Sequence, residues 1–200
     1  MKDVYTECPL FAKPLISLRQ TREEDAPELL LCYSDPAAVP LFNSDNCHGD
    51  DFHYETVDRM KEAIGFWNFS YTNRYFVRWT IIHNETGEKL GTIEMFHRLA
   101  DDEFNHFGVL RIDLKSKYEI QSVIAEILEV ADEHFFELFN VHAILTKAIP
   151  SASERVSALV HSGYQPLNKK LMIYDDYYVK TNRLTIDQVS PAIRKVLCID

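Results

Sequence analysis

The stretch "KSKYEIQSV", residues 115–123, has the position of an anion-binding turn. It follows a run of alternating apolar residues and opens the longest helical pattern in the chain. Free backbone N–H groups and the dipole at a helix N-terminus favour a phosphate. Such turns usually contain glycine, because a side chain hinders the approach of the backbone to the anion. This stretch has no glycine, which raises the question of whether it still binds phosphate.

Ser116 and Glu119 have the spacing of a capping box. In that arrangement the Ser116 hydroxyl accepts from the N–H of Glu119, and the Glu119 carboxylate accepts from the N–H of Ser116. These bonds would occupy donors that a phosphate needs, while Lys115 and Lys117 would partly offset the added negative charge. We therefore expect a bound phosphate to rely on the two lysines more than on the loop.

The segment "CHGDDFH", residues 47–53, collects side chains that can bind metals, namely Cys47, His48, Asp50, Asp51 and His53. Their spacing is not that of a known closed zinc site, so we predict no metal there. The acidity of the segment would instead attract an amine. The chain shows no Ser-His-Asp pattern, no P-loop and no zinc-protease motif.

Hydrophobic periodicity predicts an α/β framework for these residues. The expected strands lie at 15–18, 77–81, 90–96, 107–114, 141–148 and 170–181, and the expected helices lie at 21–35, 54–68, 120–135 and 151–163. Runs of strands with inserted helices favour a mixed sheet over a purely parallel one. We predict one domain over residues 1–182 and a tail over 183–200, whose short helix Ser190 caps and Pro191 starts.

Composition indicates which partners and which cellular location to expect. The 200 residues carry a net charge of −10, which argues against nucleic acid and anionic membranes as partners, because both require a basic surface. No apolar run approaches the roughly 20 residues that cross a bilayer. The four cysteines form no Cys-x-x-Cys pair, and the N-terminus lacks the apolar core of a signal peptide. These features predict a cytoplasmic protein with reduced thiols.

Four stretches in a fixed order carry a resemblance to a known family, namely "ISLRQTREEDAPELL", "FVRWTIIHNETGEKLGTIEMF", "AEILEVADEHFFELFNVHAILTKAIP" and "ERVSALVHSGYQP". The chain resembles the GNAT superfamily of acyl-CoA-dependent N-acetyltransferases over about residues 15–180, within the branch that acetylates ribosomal-protein N-termini. The resemblance implies a mostly antiparallel sheet of about seven strands, splayed in the middle and flanked by helices. It also implies acetyl-CoA as cosubstrate and an amine acceptor, either a small molecule or a peptide N-terminus.

The resemblance assigns the acetyl-CoA site to the strand that ends at Leu114 and to the turn after it. The strand backbone would pair with pantetheine and the turn would hold the pyrophosphate, so the predicted cofactor-binding residues are Ile112, Leu114, Lys115, Lys117, Tyr118, Glu119, Ile120, Gln121 and Ser122. The chain departs from the family here, because the loop glycines fall on Ile120 and Ser122. The family's asparagine, second signature serine and catalytic tyrosine fall on Ala152, Arg155 and Leu159.

Three residues are the predicted catalytic groups. A carboxylate must remove the proton of the acceptor amine, and Asp113 and Glu94 are placed for it on the strands that the resemblance puts beside the acceptor. Tyr177, in "YDDYY", could protonate the leaving thiolate. The structural alternatives are an ion pair between Asp113 and Arg111, a solvated Glu94, and packing of Tyr177 on a sheet face.

Two functions of different classes follow. The first is transfer of an acetyl group from acetyl-CoA to an amine. The second is a non-catalytic GNAT-fold binding protein that has lost acetyl-CoA binding, as the missing glycines, asparagine and tyrosine would indicate. The tail after residue 182 exceeds what the fold needs, so we also expect that it could pair two subunits into a homodimer.

Overall fold

One eight-stranded sheet forms the centre of the computed structural model, which describes residues 3–182. The strands are β1 (Phe11–Ala12), β2 (Ile16–Gln20), β3 (Val77–His83), β4 (Lys89–His97), β5 (Gly108–Leu114), β6 (Ala143–Lys147), β7 (Gln165–Pro166) and β8 (Tyr177–Thr181). Their order is β1-β2-β3-β4-β5-β6-β8-β7, and only β5 and β6 pair in parallel. The predicted mixed, mostly antiparallel sheet is confirmed. The expected count of about seven becomes eight through β1 and β7, which are too short to show periodicity.

Helices flank the sheet at the places that the periodicity predicts. They are α1 (Ala26–Tyr33), α2 (Val57–Thr72), α3 (Gln121–Val130), α4 (Phe136–Leu138) and α5 (Ser153–His161). A π-helical stretch, Ala131–Phe135, joins α3 to α4. The N-terminus of α2 is fixed by Thr56, whose hydroxyl accepts from the N–H of Arg59 at 3.2 Å.

The two faces of the sheet bury different chemistry. On β3, Val77, Trp79 and Ile81 alternate into the main apolar core, where Trp79 stacks on Phe135 with ring centroids 5.0 Å apart. The intervening Arg78 is also buried, but it faces a second core built from α1, α2 and the segment between them. A strand that is buried on both faces can therefore bring charged side chains into the interior, where they require partners.

A short parallel ladder limits the contact between β5 and β6. It contains the register pairs Gly108↔Ile144, Val109↔Leu145 and Leu110↔Thr146, and no pair is formed beyond Leu110 although β5 continues to Leu114. The two strands therefore diverge from Arg111 onward. This divergence is the splay that the family resemblance implied.

The turn after β5 does not form the predicted capping box. Ser116–Tyr118 is a 3-10 turn, and α3 begins later, at Gln121, with Ile120 in the N-cap position. The Glu119 carboxylate points to the Arg155 guanidinium, which donates to it at 2.5 and 2.8 Å, and not to the N–H of Ser116. The prediction was wrong because an ion pair with a distant cation is stronger than a local bond to the backbone.

The predicted tail, 183–200, lies outside the described residues. Within residues 3–182, no helix has the length and apolarity needed to cross a membrane.

We expect Gly91→Ala to destabilise the fold by about 3 kcal/mol or more, at the upper end of single substitutions. Gly91 lies beside a bulge between β3 and β4 at φ 155°, and a Cβ there would be 1.9 Å from the backbone oxygen of Asp113. Urea denaturation followed by circular dichroism measures the change. Gly65→Ala is the control, because its Cβ meets nothing within 4 Å inside α2, and it should stabilise by about 0.5–1 kcal/mol. Equal stabilities for the two variants would contradict this account.

Candidate functional site

A cavity of about 590 Å³ lies between α2, the segment before it and the sheet. Its walls are mainly aromatic, and its base contains three charged side chains from neighbouring strands, Arg78, Glu94 and Arg111. The aromatic residues that line it are Phe52, Tyr54, Phe66, Trp67, Tyr75, Phe76 and Phe96. An apolar wall with a few polar groups at the base is typical of a small-ligand site.

Strand register brings the three charges together. Arg78 on β3 lies opposite Glu94 on β4, and Glu94 lies opposite Arg111 on β5. Arg78 donates from Nη2 to Glu94 Oε2 at 2.5 Å, and Arg111 donates from Nη1 to Glu94 Oε1 at 2.7 Å. The Arg78 guanidinium also lies 4.2 Å from the centroid of the Trp67 ring, a cation–π contact.

Asp113 lies behind this row, away from the cavity. Its Oδ2 accepts from the Tyr33 hydroxyl at 2.8 Å and from Arg78 Nη1 at 3.0 Å. Tyr33 also contacts Thr92 at 2.7 Å. The expected ion pair between Asp113 and Arg111 is replaced by the pair with Arg78, because Arg111 turns to Glu94. Asp113 Oδ1 is buried with no hydrogen-bond partner in the described part of the chain.

The pKa values of Glu94 and Asp113 are shifted in opposite directions. For Glu94 burial favours the protonated form, but the Arg78 and Arg111 guanidiniums outweigh it and hold the pKa below its ordinary value. For Asp113 burial outweighs the attraction of Arg78, so the pKa is raised. Glu94 is therefore a stable anion, and Asp113 takes a proton more readily.

Tyr177 lies outside the main cavity, in a neighbouring one of about 440 Å³ that shares Arg111 with it. Its hydroxyl accepts from Asn43 Nδ2 at 3.1 Å and donates to Asp45 Oδ2 at 3.2 Å. Burial raises the pKa of Tyr177 well above its ordinary value. Its ring also packs in a small apolar cluster with β6 and β8, as the structural alternative expected.

The predicted cofactor-binding strand is fully enclosed. Ile112 is 2% exposed and Leu114 is 1% exposed. Lys115 is also buried, and its ammonium donates to Glu88 at 2.8 Å. Lys117 and the Tyr118 hydroxyl donate to the same carboxylate, at 3.2 and 2.5 Å. The two lysines expected to hold phosphate thus share one glutamate, which offsets one of their two positive charges.

Backbone donors at the predicted pyrophosphate turn also bind carboxylates. The N–H of Ser116 donates to Asp35 at 2.9 Å, and the N–H of Gln121 donates to Glu154 at 2.8 Å. Ile120 and Ser122, which stand at the family's glycine positions, are exposed. Glu119, at 9% exposure, pairs with the buried Arg155.

Sequence reasoning missed the cations and carboxylates that organise both regions, namely Arg78, Glu88, Asp35 and Arg155. For Arg78 a signal existed, since an arginine inside an apolar strand opposite a strand carboxylate predicts a buried pair. Asp35, Glu88 and Glu154 reach their partners across 81, 27 and 33 residues, so no local pattern reveals them.

The acidic segment 47–53 borders the cavity through Cys47, His48, Asp50 and Phe52. Asp50 is held by Arg59 of α2 at 3.1 Å. No group of three or more potential metal ligands occurs among residues 3–182. The segment thus contributes to the wall of the cavity.

Arg78→Met should cost about 3–5 kcal/mol of stability, because it leaves the buried Asp113 without an ion pair and Glu94 with Arg111 alone. Chemical denaturation measures the loss. Arg59→Met is the control, since its ion pairs on α2 are exposed and contribute at most about 1 kcal/mol. A loss below about 1 kcal/mol for Arg78→Met would show that the buried pair is dispensable.

Lowering the pH should reduce the stability that the turn after β5 contributes, because Glu88 becomes protonated. Hydrogen bonds from Lys115 and Tyr118 lower the pKa of Glu88 to about 2 from 4.5, so its contribution is complete above pH 4.5 and is lost as the pH falls toward 2. Glu88→Gln should flatten the fall of unfolding free energy between these pH values. Glu85→Gln, in the exposed hairpin turn, is the control and should leave the slope unchanged. An unaltered slope for Glu88→Gln would contradict the assignment.

Comparisons with known proteins agree with this geometry. The family model described as "Acetyltransferase (GNAT) domain" matches residues 16–165. A search of curated proteins found no match. Among solved structures, the ribosomal-protein-S5-alanine acetyltransferase of Vibrio fischeri superposes with a TM-score of 0.67 at 15% identity, covering 88% of this chain and 97% of that one.

Two further structures are similar to this chain. RimJ of Mycobacterium smegmatis, in complex with a CoA disulfide, gives a TM-score of 0.65 at 12% identity and covers 92% of this chain and 88% of that one. RimL, a ribosomal L7/L12 α-N-protein acetyltransferase in complex with CoA, gives 0.64 at 11% identity, covering 86% and 98%. These identities show a shared fold, whereas the family model spans three quarters of the sequence. The chain belongs to the GNAT acetyltransferase family.

Proposed function

We propose that this protein transfers an acetyl group from acetyl-CoA to an amine that enters the aromatic cavity above Glu94. Family membership supports the reaction class. The observation that carries the acceptor site is the placement of the Glu94 carboxylate, whose pKa is lowered, at the base of a cavity with mainly aromatic walls, where it can accept a hydrogen bond from an amine.

The acceptor is proposed to be the N-terminal amine of a protein or peptide, with a small amine as the other member of the class. Several similar structures are described as ribosomal-protein acetyltransferases, which supports a protein substrate. Phe66 and Tyr75, which line the cavity, are 59% and 61% exposed. Exposed aromatic side chains at the edge of a cavity can contact the residues that follow a peptide N-terminus.

The predicted catalytic residues receive distinct proposed roles. Glu94 reaches the cavity and stays ionised, so it binds and orients the amine. Asp113, with its raised pKa and unpartnered Oδ1, remains the proposed base. It lies behind Arg78, which can only donate, so a water from the cavity would carry the proton of the amine to Oδ1. Tyr177 keeps its proton at neutral pH, as a general acid must.

Acetyl-CoA supplies a thioester whose acyl carbon a neutral amine can attack. The residues present suit one part of this cosubstrate, the pantetheine arm, but not its pyrophosphate. The divergence of β5 and β6 after Leu110 suits an extended pantetheine arm. The turn that follows does not suit a pyrophosphate as it stands, because the N–H groups of Ser116 and Gln121 already donate to carboxylates.

That mismatch favours a second candidate function, a GNAT-fold binding protein without catalysis. The pairing of Lys115 and Lys117 with Glu88 and the Arg155–Glu119 pair support it. The two candidates differ in one measurement. Incubation with acetyl-CoA and a library of peptides and small amines, followed by mass spectrometry, shows acetylated product only for the transferase.

We further propose a cytoplasmic location and action as a soluble enzyme without nucleic-acid or membrane partners. The net charge of −10 and the likeness to enzymes described as acting on ribosomal proteins support this proposal. A homodimer remains a proposal that depends on the tail.

Glu94→Gln should lower kcat/KM for the acceptor about a hundredfold, because the neutral amide cannot hold the amine as the carboxylate does. Initial rates over a range of acceptor concentrations measure the effect. Glu62→Gln on the exposed side of α2 is the matched control and should retain full activity.

Since Glu94→Gln also weakens a buried ion pair, its melting temperature and circular dichroism must be recorded with the rates. A folded Glu94→Gln protein with unchanged kcat/KM would remove Glu94 from the acceptor site. Asp113→Asn tests the base in the same assay, and an unchanged kcat for a folded Asp113→Asn protein would remove Asp113 from that role.

A further inference from the structure

Residues 35–46 connect α1 to the acidic segment 47–53. They contact both β5 and β6 where these two strands diverge. We call this segment the strap. On the β5 side, Arg111 Nη2 donates to the backbone oxygen of Asp45 at 3.1 Å. On the β6 side, the Lys147 ammonium donates to both oxygens of the Asp45 carboxylate, at 2.7 and 2.8 Å. One residue of the strap therefore joins the two strands where they separate.

The strap is held along its whole length. Asp35 accepts from the N–H of Ser116, at the end of β5. The backbone oxygen of Leu41 accepts from Arg155 Nη1 at 3.1 Å, which ties the strap to α5. Asn43 donates to the Tyr177 hydroxyl at 3.1 Å and is 2% exposed. The strap is thus anchored to the end of β5, to α5 and to β8, and is not a loose loop.

Its apolar residues fill space as well. Ala38 is 0% exposed and Phe42 is 7% exposed, and both pack in the core built on α1 and α2. Phe42 contacts the Tyr33 ring with centroids 5.3 Å apart. Removing the strap from this position would expose apolar surface, so the closed arrangement has its own favourable free energy.

The opposite end of the divergence is closed by side chains. Arg155 of α5 pairs with Glu119 of the turn, and both are buried. The Glu154 carboxylate, one residue earlier on α5, accepts from the N–H of Gln121. A ligand that is to lie between β5 and β6 must therefore separate these partners.

We propose that the strap closes the acetyl-CoA groove of this protein and that CoA binds only after residues 35–46 move away. This inference rests on the proposed function for the identity of the ligand. Binding then requires a conformational step, and the apparent dissociation constant is the intrinsic one divided by the fraction of open molecules. Acetyl-CoA carries anionic phosphates, so the carboxylates of Asp35 and Glu154 oppose it until they leave the donors that they occupy.

The test is the affinity of the full-length protein for CoA, measured by isothermal titration calorimetry. The double variant Asp35→Ala, Asp45→Ala removes the bonds to Ser116, Lys147 and Tyr177 and should bind CoA about tenfold more tightly or better than the wild type. Asp51→Ala, Glu55→Ala is the matched control. It removes the same charge from the neighbouring exposed loop without touching the groove, and its affinity should equal that of the wild type.

Equal affinities for the double variant and the wild type, or no binding by either at millimolar CoA, overturn the proposal. Equal tightening in both double variants also overturns it, because that result assigns the effect to net charge.

Hydrogen exchange on the wild-type protein gives a second measurement, which does not depend on the folding of a variant. Saturating CoA should increase amide exchange in residues 35–46, and unchanged protection with CoA bound would rule out the movement.

The outcomes for the groove and for catalysis are separable. Tighter CoA binding by the double variant without acetylation of any amine supports the strap and removes the proposed transferase. If the wild-type protein acetylates an amine and binds CoA as tightly as the double variant, the proposed transferase is supported and the strap proposal is overturned.

Discussion

The buried guanidinium of Arg78 is the interaction on which the interior depends. It pairs with carboxylates from two other strands, Glu94 and Asp113, and all three residues are at most 3% exposed. Either carboxylate alone would be costly to bury, and the cation alone would be equally so. With Arg111, which pairs with Glu94, they form a balanced set of two cations and two anions, and the set fixes the side chains of β3, β4 and β5 relative to α1 through Tyr33.

The two carboxylates of this set differ in how readily they take up a proton. The carboxylate that faces the cavity is held as an anion by two guanidiniums, whereas the carboxylate behind it is left with a free oxygen and a raised pKa. The difference arises from position along two adjacent strands and not from residue type. An amine in the cavity would contact the ionised Glu94 first, and the proton acceptor Asp113 lies behind it.

Much of the fold could be predicted from the sequence, because its strands and helices have strong periodicity and stand in the family's order. The two-residue strands β1 and β7 could not, since they carry no pattern. The resemblance predicted the divergence of β5 and β6. It did not predict the contacts of the strap that join the two strands there. Ser116 and Glu119 matched a local capping motif, yet their actual partners are Asp35 and Arg155, which only tertiary structure brings near.

Long separations in sequence give the turn after β5 a particular place in folding. Its donors are satisfied by Asp35 of the strap and Glu154 of α5, through contacts that span 81 and 33 residues. Closing such loops costs chain entropy before any bond is gained, so distant contacts of this kind form late. In this chain the carboxylates that accept from Ser116 and Gln121 come from the strap and from α5, so the hydrogen bonds of residues 116–121 are complete only when both have packed against the turn.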